Sequence, residues 1–243
     1  MAVLKGAVKR LLRAAGYKVQ RLTPVTDLEE YQRWLIACAA VDVVVDVGAN
    51  TGQFARHMRE EVGFRGKIVS FEPLRAAFST LADHARGDDR WHVVNCALGE
   101  RRSRAEINVS ANSYSSSLLG MLPAHTSGAP DSGYVAKEII EVTTLDDALP
   151  DLRNSNASVY LKIDTQGYES HVLRGAQLSL PKIDIVQLEL SLVPLYEGQA
   201  LFPDIHSHMI GNGYSLVVAE PEFREPRTGR LLQMDGIYHR FRR

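Results

Sequence analysis

The segment "VDVVVDVGANTGQF", Val41 to Phe54, constrains the fold more than any other. It is a run of β-branched and apolar residues that ends in a glycine-containing turn, with a helical pattern after it. Strand-like and helix-like segments then alternate along the chain. "GKIVSFEP" is a second strand, "LRAAFSTLADHAR" a helix and "WHVVNCALG" a third strand, while "AEINVS" reads as a short one. "YLKIDTQG" and "IDIVQLELS" are further apolar strands, followed by "SHVLRGAQLSL" and "FPDIHSHMIGNG" as helices. Such alternation implies an α/β fold, doubly wound, with a mostly parallel sheet. "YSLVVA" and "LLQMDGIYHRF" are joined only by the turn-rich "EPEFREPRTGR", so the chain closes antiparallel, giving seven strands. Open sheets of this kind bind ligands at the carboxyl ends of their strands, near the switch in strand order. That rule points to residues 46–54, 72–73, 95–98, 164–168 and 189–196.

Three ligands suit a strand–glycine–helix turn. The dinucleotide pattern G-x-G-x-x-G needs glycines where this chain has Gly48, Asn50 and Gln53, so the glycine that admits a pyrophosphate is missing. The phosphate-cradling G-K-[ST] pattern needs a lysine, and none is present in the turn. What remains is acid–x–G–x–x–x–G, made of Asp46, Gly48 and Gly52. An acid there repels phosphate and suits a ligand with an ammonium group. S-adenosylmethionine carries an ammonium and a sulfonium and no phosphate. Glu72 closes the second strand 20 residues beyond Gly52, where an acid can accept both ribose hydroxyls, and Pro73 ends that strand. Asn95 to Leu98, including Ala97, lie where an adenine edge can be met, and read equally as a structural strand end.

The later strands carry acids in apolar surroundings. Lys162 and Asp164 share one strand face, and Glu189 sits near the end of another with Ser191 on the same side. Buried charges are costly unless matched or used. Asp164 and Glu189 are the candidate catalytic carboxylates, since transfer of a methyl group to a hydroxyl needs a proton acceptor. The same pair can help hold a divalent cation, so metal dependence stays open. Glu169 begins a helix and reads equally as a cap. His206 and His208 read as polar helix positions.

Together, "VVDVGANTGQF", "IVSFEP", "NCALGE", "LKIDTQGYE..VLRGA", "QLELSLVPLYEGQ" and "LLQMDGIYHR" resemble the FkbM-type methyltransferases, in order and spacing. The resemblance implies a class I, Rossmann-like methyltransferase fold and O-methylation, commonly of a hydroxyl on a sugar or natural product. Its cofactor positions fall on Asp46, Gly48, Asn50, Gly52 and Glu72, with Phe54, Pro73, Asn95 and Ala97 completing the expected set. Its later acids fall on Asp164, Glu169, Glu189 and Asp235. Tyr168, Ser191 and Tyr196 are the expected substrate contacts. Many members have Glu where this chain has Gln166, which leaves a metal or base role at that place in doubt.

Residues 1–40 read as a helical extension and 41–243 as the methyltransferase domain. Within it 110–137 is a lid or substrate loop, because its 110–134 stretch is long, polar and rich in Ser, Gly and Pro. Residues 1–26 carry Lys5, Lys9, Arg10, Arg13, Lys18 and Arg21 and no acid, with Leu4, Val8, Leu11, Leu12 and Ala15 at helical spacing. That pattern suits either a solvated terminus or a helix resting on anionic lipid. A glycolipid acceptor, a deoxyhexose such as rhamnose or fucose, fits both the family and the basic start. The alternatives are methylation of a non-sugar small molecule and a binding module without turnover. A net charge of −1 argues against nucleic acid. Cys38 and Cys96 both lie in apolar contexts and read as buried free thiols of a reducing compartment. With no signal-peptide pattern and no membrane-length apolar run, a cytoplasmic protein, resting on a membrane or free, is expected.

Overall fold

The computed structural model describes residues 8, 10–17, 23, 27–150 and 156–241. Seven strands form one sheet in the order β3-β2-β1-β7-β8-β10-β9. They are β1 (Val43–Val47), β2 (Lys67–Phe71), β3 (Trp91–Val94), β7 (Val159–Ile163), β8 (Ile185–Ser191), β9 (Ser215–Arg224) and β10 (Leu231–His239). The first five are mutually parallel; β10 runs antiparallel to both of its neighbours. The strand order reverses between β1 and β7, which places the switch point beside the glycine turn.

Strand alternation divides the core into two layers. Val45, Val69, Leu161 and Val186 pack on one face with Val172, Ile205 and Met209, from helices Glu169–Arg174 and Phe202–Gly211. Val44, Ile68, Tyr160, Ile185 and Ile237 pack on the other with Leu35, Met58 and Leu81, from helices Leu28–Cys38, Gln53–Glu60 and Arg75–Ala85. The first of these three is capped by Asp27, whose carboxylate accepts from Glu30 N at 3.1 Å, as its spacing predicts.

A second, three-stranded sheet stands beside the first, in the order β4-β6-β5. It contains β4 (Ala97–Leu98), β5 (Ser103–Ser110) and β6 (Tyr134–Thr143). Only part of β5 and none of β6 is marked in the sequence, because "YVAKEIIEVT" is interrupted by Lys137, Glu138 and Glu141 and follows a glycine-rich stretch. Residues between β5 and β6 are folded rather than featureless. They contain a short helix, Pro123–Gly128, a 3₁₀ turn, Pro130–Ser132, and isolated bridges Asn108–Ser117 and Met121–Tyr196. β9 also runs further than "YSLVVA" suggests, through Pro221 to Arg224. Proline is tolerated there because β9 is the sheet edge.

Of the basic start, residues 8 and 10–14 are helical, with Val8, Leu11 and Ala15 exposed and Leu12 half-buried; Leu4, Lys5, Lys9, Lys18 and Arg21 lie outside the described residues. Among the described residues no helix is long and apolar enough to cross a membrane. Both thiols are free. Cys96 is buried as expected, but Cys38 is exposed, because it ends the Leu28–Cys38 helix on its outer side.

Candidate active site

Register explains how the site is assembled. Along one face of the sheet, the apolar row Ile68–Val44–Tyr160–Ile185 is followed by a polar row, Ser70–Asp46–Lys162–Gln187. Continuing each strand by two residues brings a third row to the carboxyl ends: Glu72, Gly48, Asp164 and Glu189, with Asp235 of β10 opposite Glu189. The third row borders a cavity of about 490 Å³, inside the range of roughly 300–1,000 Å³ that small-molecule sites occupy.

Gly48, Asn50, Phe54, Glu72, Pro73, Ala97, Asp164, Tyr168 and Glu189 line this cavity. Asp46, Gly52, Asn95, Ser191 and Tyr196 stand outside its lining. Asp46 is fully buried in the row beneath, where Ser70 Oγ donates to it at 3.4 Å and the Lys162 ammonium lies 3.9 Å away. Burial, opposed by Lys162, raises its carboxyl to about 6. That ammonium faces its Oδ1, which has no hydrogen-bond partner among the described residues. Lys162 in turn donates to Asp164 at 3.0 Å and lies over the Phe54 ring at 5.2 Å. Gly52 starts the Gln53–Glu60 helix at φ +90°, and a side chain there would press on Leu81 and Trp91, so its role is packing. Ser191 Oγ accepts from Gln233 at 3.3 Å in a buried pair.

The glycine turn has no free amide. Gly48 N and Ala49 N both donate to the Phe71 carbonyl at 3.0 Å. Asn50 N donates to Glu72 Oε2 at 2.8 Å, Thr51 N to Asn50 Oδ1 at 2.7 Å, and Gly52 N to the Ala49 carbonyl at 2.8 Å. Gly48, at φ +78°, has no room for a side chain because the Asp164 carbonyl fills that space. The glycine is therefore required by the neighbouring strand, whatever ligand is present.

Glu72 is 4% exposed and is aimed by two amides, Asn50 N on Oε2 and Leu74 N on Oε1, both at 2.8 Å. A carboxylate offers about four acceptor directions, so two remain for hydroxyls. Burial raises it to about 7 against the pull of those amides. Asn95 does not reach the cavity; its side-chain amide donates to the Glu72 and Pro73 carbonyls at 2.9 and 3.0 Å and braces the strand end.

The loop after β7 is built on Gln166, at φ +53°. Its amide nitrogen donates to Asp164 Oδ1 at 2.9 Å and Glu189 Oε2 at 3.0 Å, and its oxygen accepts from Tyr196 Oη at 2.7 Å. Buried Glu169 holds this loop from below, accepting from Thr165 N, Thr165 Oγ1 and Gly167 N at 2.9, 3.1 and 3.1 Å. It caps the loop and does not line the cavity. Burial and the neighbouring carboxylates Asp164, Glu169, Glu222 and Asp235 push Glu189 well above the usual carboxylate range. Among the described residues no group of three or more His, Cys, Asp or Glu side chains could hold a metal ion. His206 bonds Tyr238 Oη at 3.2 Å and His208 bonds Asn212 at 3.4 Å, both away from the cavity.

Several lining residues escape the sequence reading. Glu222 and Phe223 come from the unforeseen outer half of β9, hidden by Pro221. Ser113 to Leu118, His125 and Ala129 come from the segment between β5 and β6. Its length and composition set it apart from the rest of the chain, but nothing in the pattern singles out His125.

The methyltransferase FkbM domain family matches residues 46–216. The 2-O-methyltransferase NoeI of Sinorhizobium fredii is 24% identical over 163 residues, 65% of this chain and 66% of that protein. Methyltransferase 1 of Beauveria bassiana is 24% identical over 194 residues, 75% of this chain and 76% of that one. The chain thus spans about two thirds to three quarters of the length of these relatives. The crystal structure of methyltransferase FkbM from Methylobacillus flagellatus KT superposes with a TM-score of 0.50 at 17% identity, over 82% of this chain and 43% of that one. The likeness is one of fold, and the fold is that of class I methyltransferases. With the family spanning most of the chain, and the glycine turn, Glu72, Asp164 and Glu189 inside the matched segment, this protein belongs to the methyltransferase FkbM domain family.

Proposed function

We propose that this protein transfers a methyl group from S-adenosylmethionine to a hydroxyl of a sugar, a deoxyhexose of a glycolipid or related natural product. The observation that carries the cofactor assignment is the turn itself. Every amide from Gly48 to Gly52 is spent inside the protein, leaving none for a phosphate, while the Glu72 carboxylate is held ready at the cavity for a diol. A nucleoside without phosphates fits that donor set. Lys162 and Asp164 stand where the charged methionyl end has opposite partners. Asp46, in the row beneath, adds negative charge under the cavity, partly balanced by the Lys162 ammonium 3.9 Å from its Oδ1.

When bound, the sulfonium supplies an electrophilic methyl group. The chain's own contribution is to orient the acceptor oxygen in line and to exclude water. Gln166 holds Asp164 and Glu189 together at the cavity floor, and exposed Tyr114 with Phe223 offers apolar surface to a sugar ring. O-methylation is supported by the likeness to NoeI, itself a 2-O-methyltransferase, at low identity. Calorimetric titration with S-adenosylmethionine, beside NAD⁺, tests the cofactor. Binding of the first alone, lost in Glu72→Ala, supports it, and binding of NAD⁺ alone overturns it.

The basic start favours a lipid-linked acceptor and peripheral contact through residues 1–20. Deleting those residues is expected to lower turnover of a lipid-linked acceptor more than that of its soluble headgroup; equal loss on both would sink this part.

A further inference from the structure

The two carboxylates on the cavity floor, Asp164 and Glu189, are already engaged by other side chains. Asp164 is bound by Lys162 on one oxygen and by Gln166 on the other. Glu189 is held by Gln166 among other carboxylates, in surroundings that favour its protonated, non-accepting form. A different lining residue, His125, offers an unengaged ring nitrogen.

His125 lies on the short Pro123–Gly128 helix and is 3% exposed. It borders the same cavity as Glu72 and Asp164. Its ring sits between Tyr196 (centroids 5.1 Å apart, edge-on) and Phe223 (5.5 Å). Its Nδ1 is 3.0 Å from Ser132 Oγ. That hydroxyl has one hydrogen, and the Ala129 carbonyl stands 2.6 Å from it, with Met121 Sδ at 3.4 Å. Two oxygens at 2.6 Å need a hydrogen between them, so Ser132 donates to Ala129 and accepts from the ring. Nδ1 therefore carries the proton, and Nε2 carries the lone pair. Among the described residues no hydrogen bond engages Nε2. Burial also holds the ring below the usual histidine range, and so neutral.

Resting on the methyl-transfer reading above, we propose that His125 is the general base of the reaction, with Ser132 as the residue that sets its tautomer. The acceptor O–H gives its proton to Nε2 as the oxygen's lone pair forms the new C–O bond. The methyl carbon leaves sulfur, the C–S bonding pair stays on sulfur as a neutral thioether, and the imidazolium returns its proton to water once product departs. The positive charge lost by the sulfonium is thus carried for the moment by the ring. Tyr196 and Phe223, packed against the ring, hold it in place as it gains and loses the proton.

Nitrogen NMR of the ¹⁵N-histidine-labelled protein reads the tautomer without turnover. The expected result is a protonated Nδ1 and a bare Nε2 for His125, shifting toward a mixture in Ser132→Ala. A protonated Nε2 in the parent protein overturns the assignment. In kinetics, His125→Gln and His125→Ala are each expected to lower kcat by about 10²–10⁴-fold, with affinity for S-adenosylmethionine kept within about threefold. Gln approximates the size of the ring, so it guards against simple collapse of the buried site. Retained kcat in a folded variant that still binds S-adenosylmethionine overturns the role of His125 alone. Absence of S-adenosylmethionine binding by the parent protein overturns the methyl-transfer reading, and this role with it.

Discussion

Gln166 donates to Glu189 across 3.0 Å, and the same nitrogen donates to Asp164 at 2.9 Å. A neutral amide thus occupies the gap between two carboxylates that would otherwise repel. Replacing it with an acid, Gln166→Glu, removes the donor and adds a third negative group. At pH 8 this variant is expected to melt several degrees lower, the shift that about 1–2 kcal/mol produces in a domain this size. Millimolar Mn²⁺ is expected to restore part of the loss in the variant and to leave the parent unchanged. Differential scanning fluorimetry with and without the ion checks both. An unshifted melting point in the variant would contradict the bridging role.

Glu72 joins the glycine turn to the end of β2 through Asn50 N and Leu74 N. Glu72→Ala is expected to weaken S-adenosylmethionine binding at least 100-fold, since it removes charged acceptors worth about 1.5–3 kcal/mol each. It also leaves two buried amides unpaired and is expected to lower stability by about 2–4 kcal/mol. Calorimetry and urea denaturation separate the two effects.

The same carboxyl makes binding depend on pH. Its folded value, about 7, lies above the ordinary 4.5, so the native state holds a proton that the unfolded chain has released. Stability of the ligand-free protein is therefore expected to fall as pH rises from 4.5 to 7, with Asp46, raised to about 6, adding to the same trend. Ligand affinity runs the other way, because the diol needs the ionised form. Kd for S-adenosylmethionine is expected to tighten by about tenfold between pH 6 and pH 8 and to level off above. A flat profile would mean that Glu72 is not the diol acceptor.

Gly48→Ala is expected to cost about 3 kcal/mol or more, from a clash with the Asp164 carbonyl and a left-handed backbone. Urea denaturation of the ligand-free protein measures it. A loss of affinity with full stability would instead mean that the glycine serves the ligand.

Lys162→Met strips the cation from a pair of carboxylates, Asp46 and Asp164. Breaking a buried ion pair on one side typically costs about 3–5 kcal/mol. Lys162→Met/Asp46→Asn is expected to recover part of that cost, and denaturation of both variants checks it.

The parallel sheet was legible because its strands are apolar runs, and the order of motifs points to Gly48, Glu72, Asp164 and Glu189, which the fold brings to one cavity. What the pattern hid has physical causes. Asp46 reads as a ligand residue, yet cross-strand neighbours Ser70 and Lys162 hold it one row below the cavity. Asn95 reads as an adenine contact, but its amide is taken by two carbonyls at the end of β2. β6 is exposed along most of its length, burying only Ile140 and Val142, and so lacks an apolar run. His125 and Ser132 meet only through the fold of a segment with no periodicity at all, and no spacing rule reaches such a pair.

The spent amides of residues 48–52 also bear on the kinetics of recognition. A turn that satisfies itself has the same shape whether or not a ligand is there. Its ordering entropy is settled during folding, so little remains to be lost on capture. Amide exchange in this turn is then slow in the free protein and changes little on saturation, while any ligand-dependent protection gathers in the segment between β5 and β6.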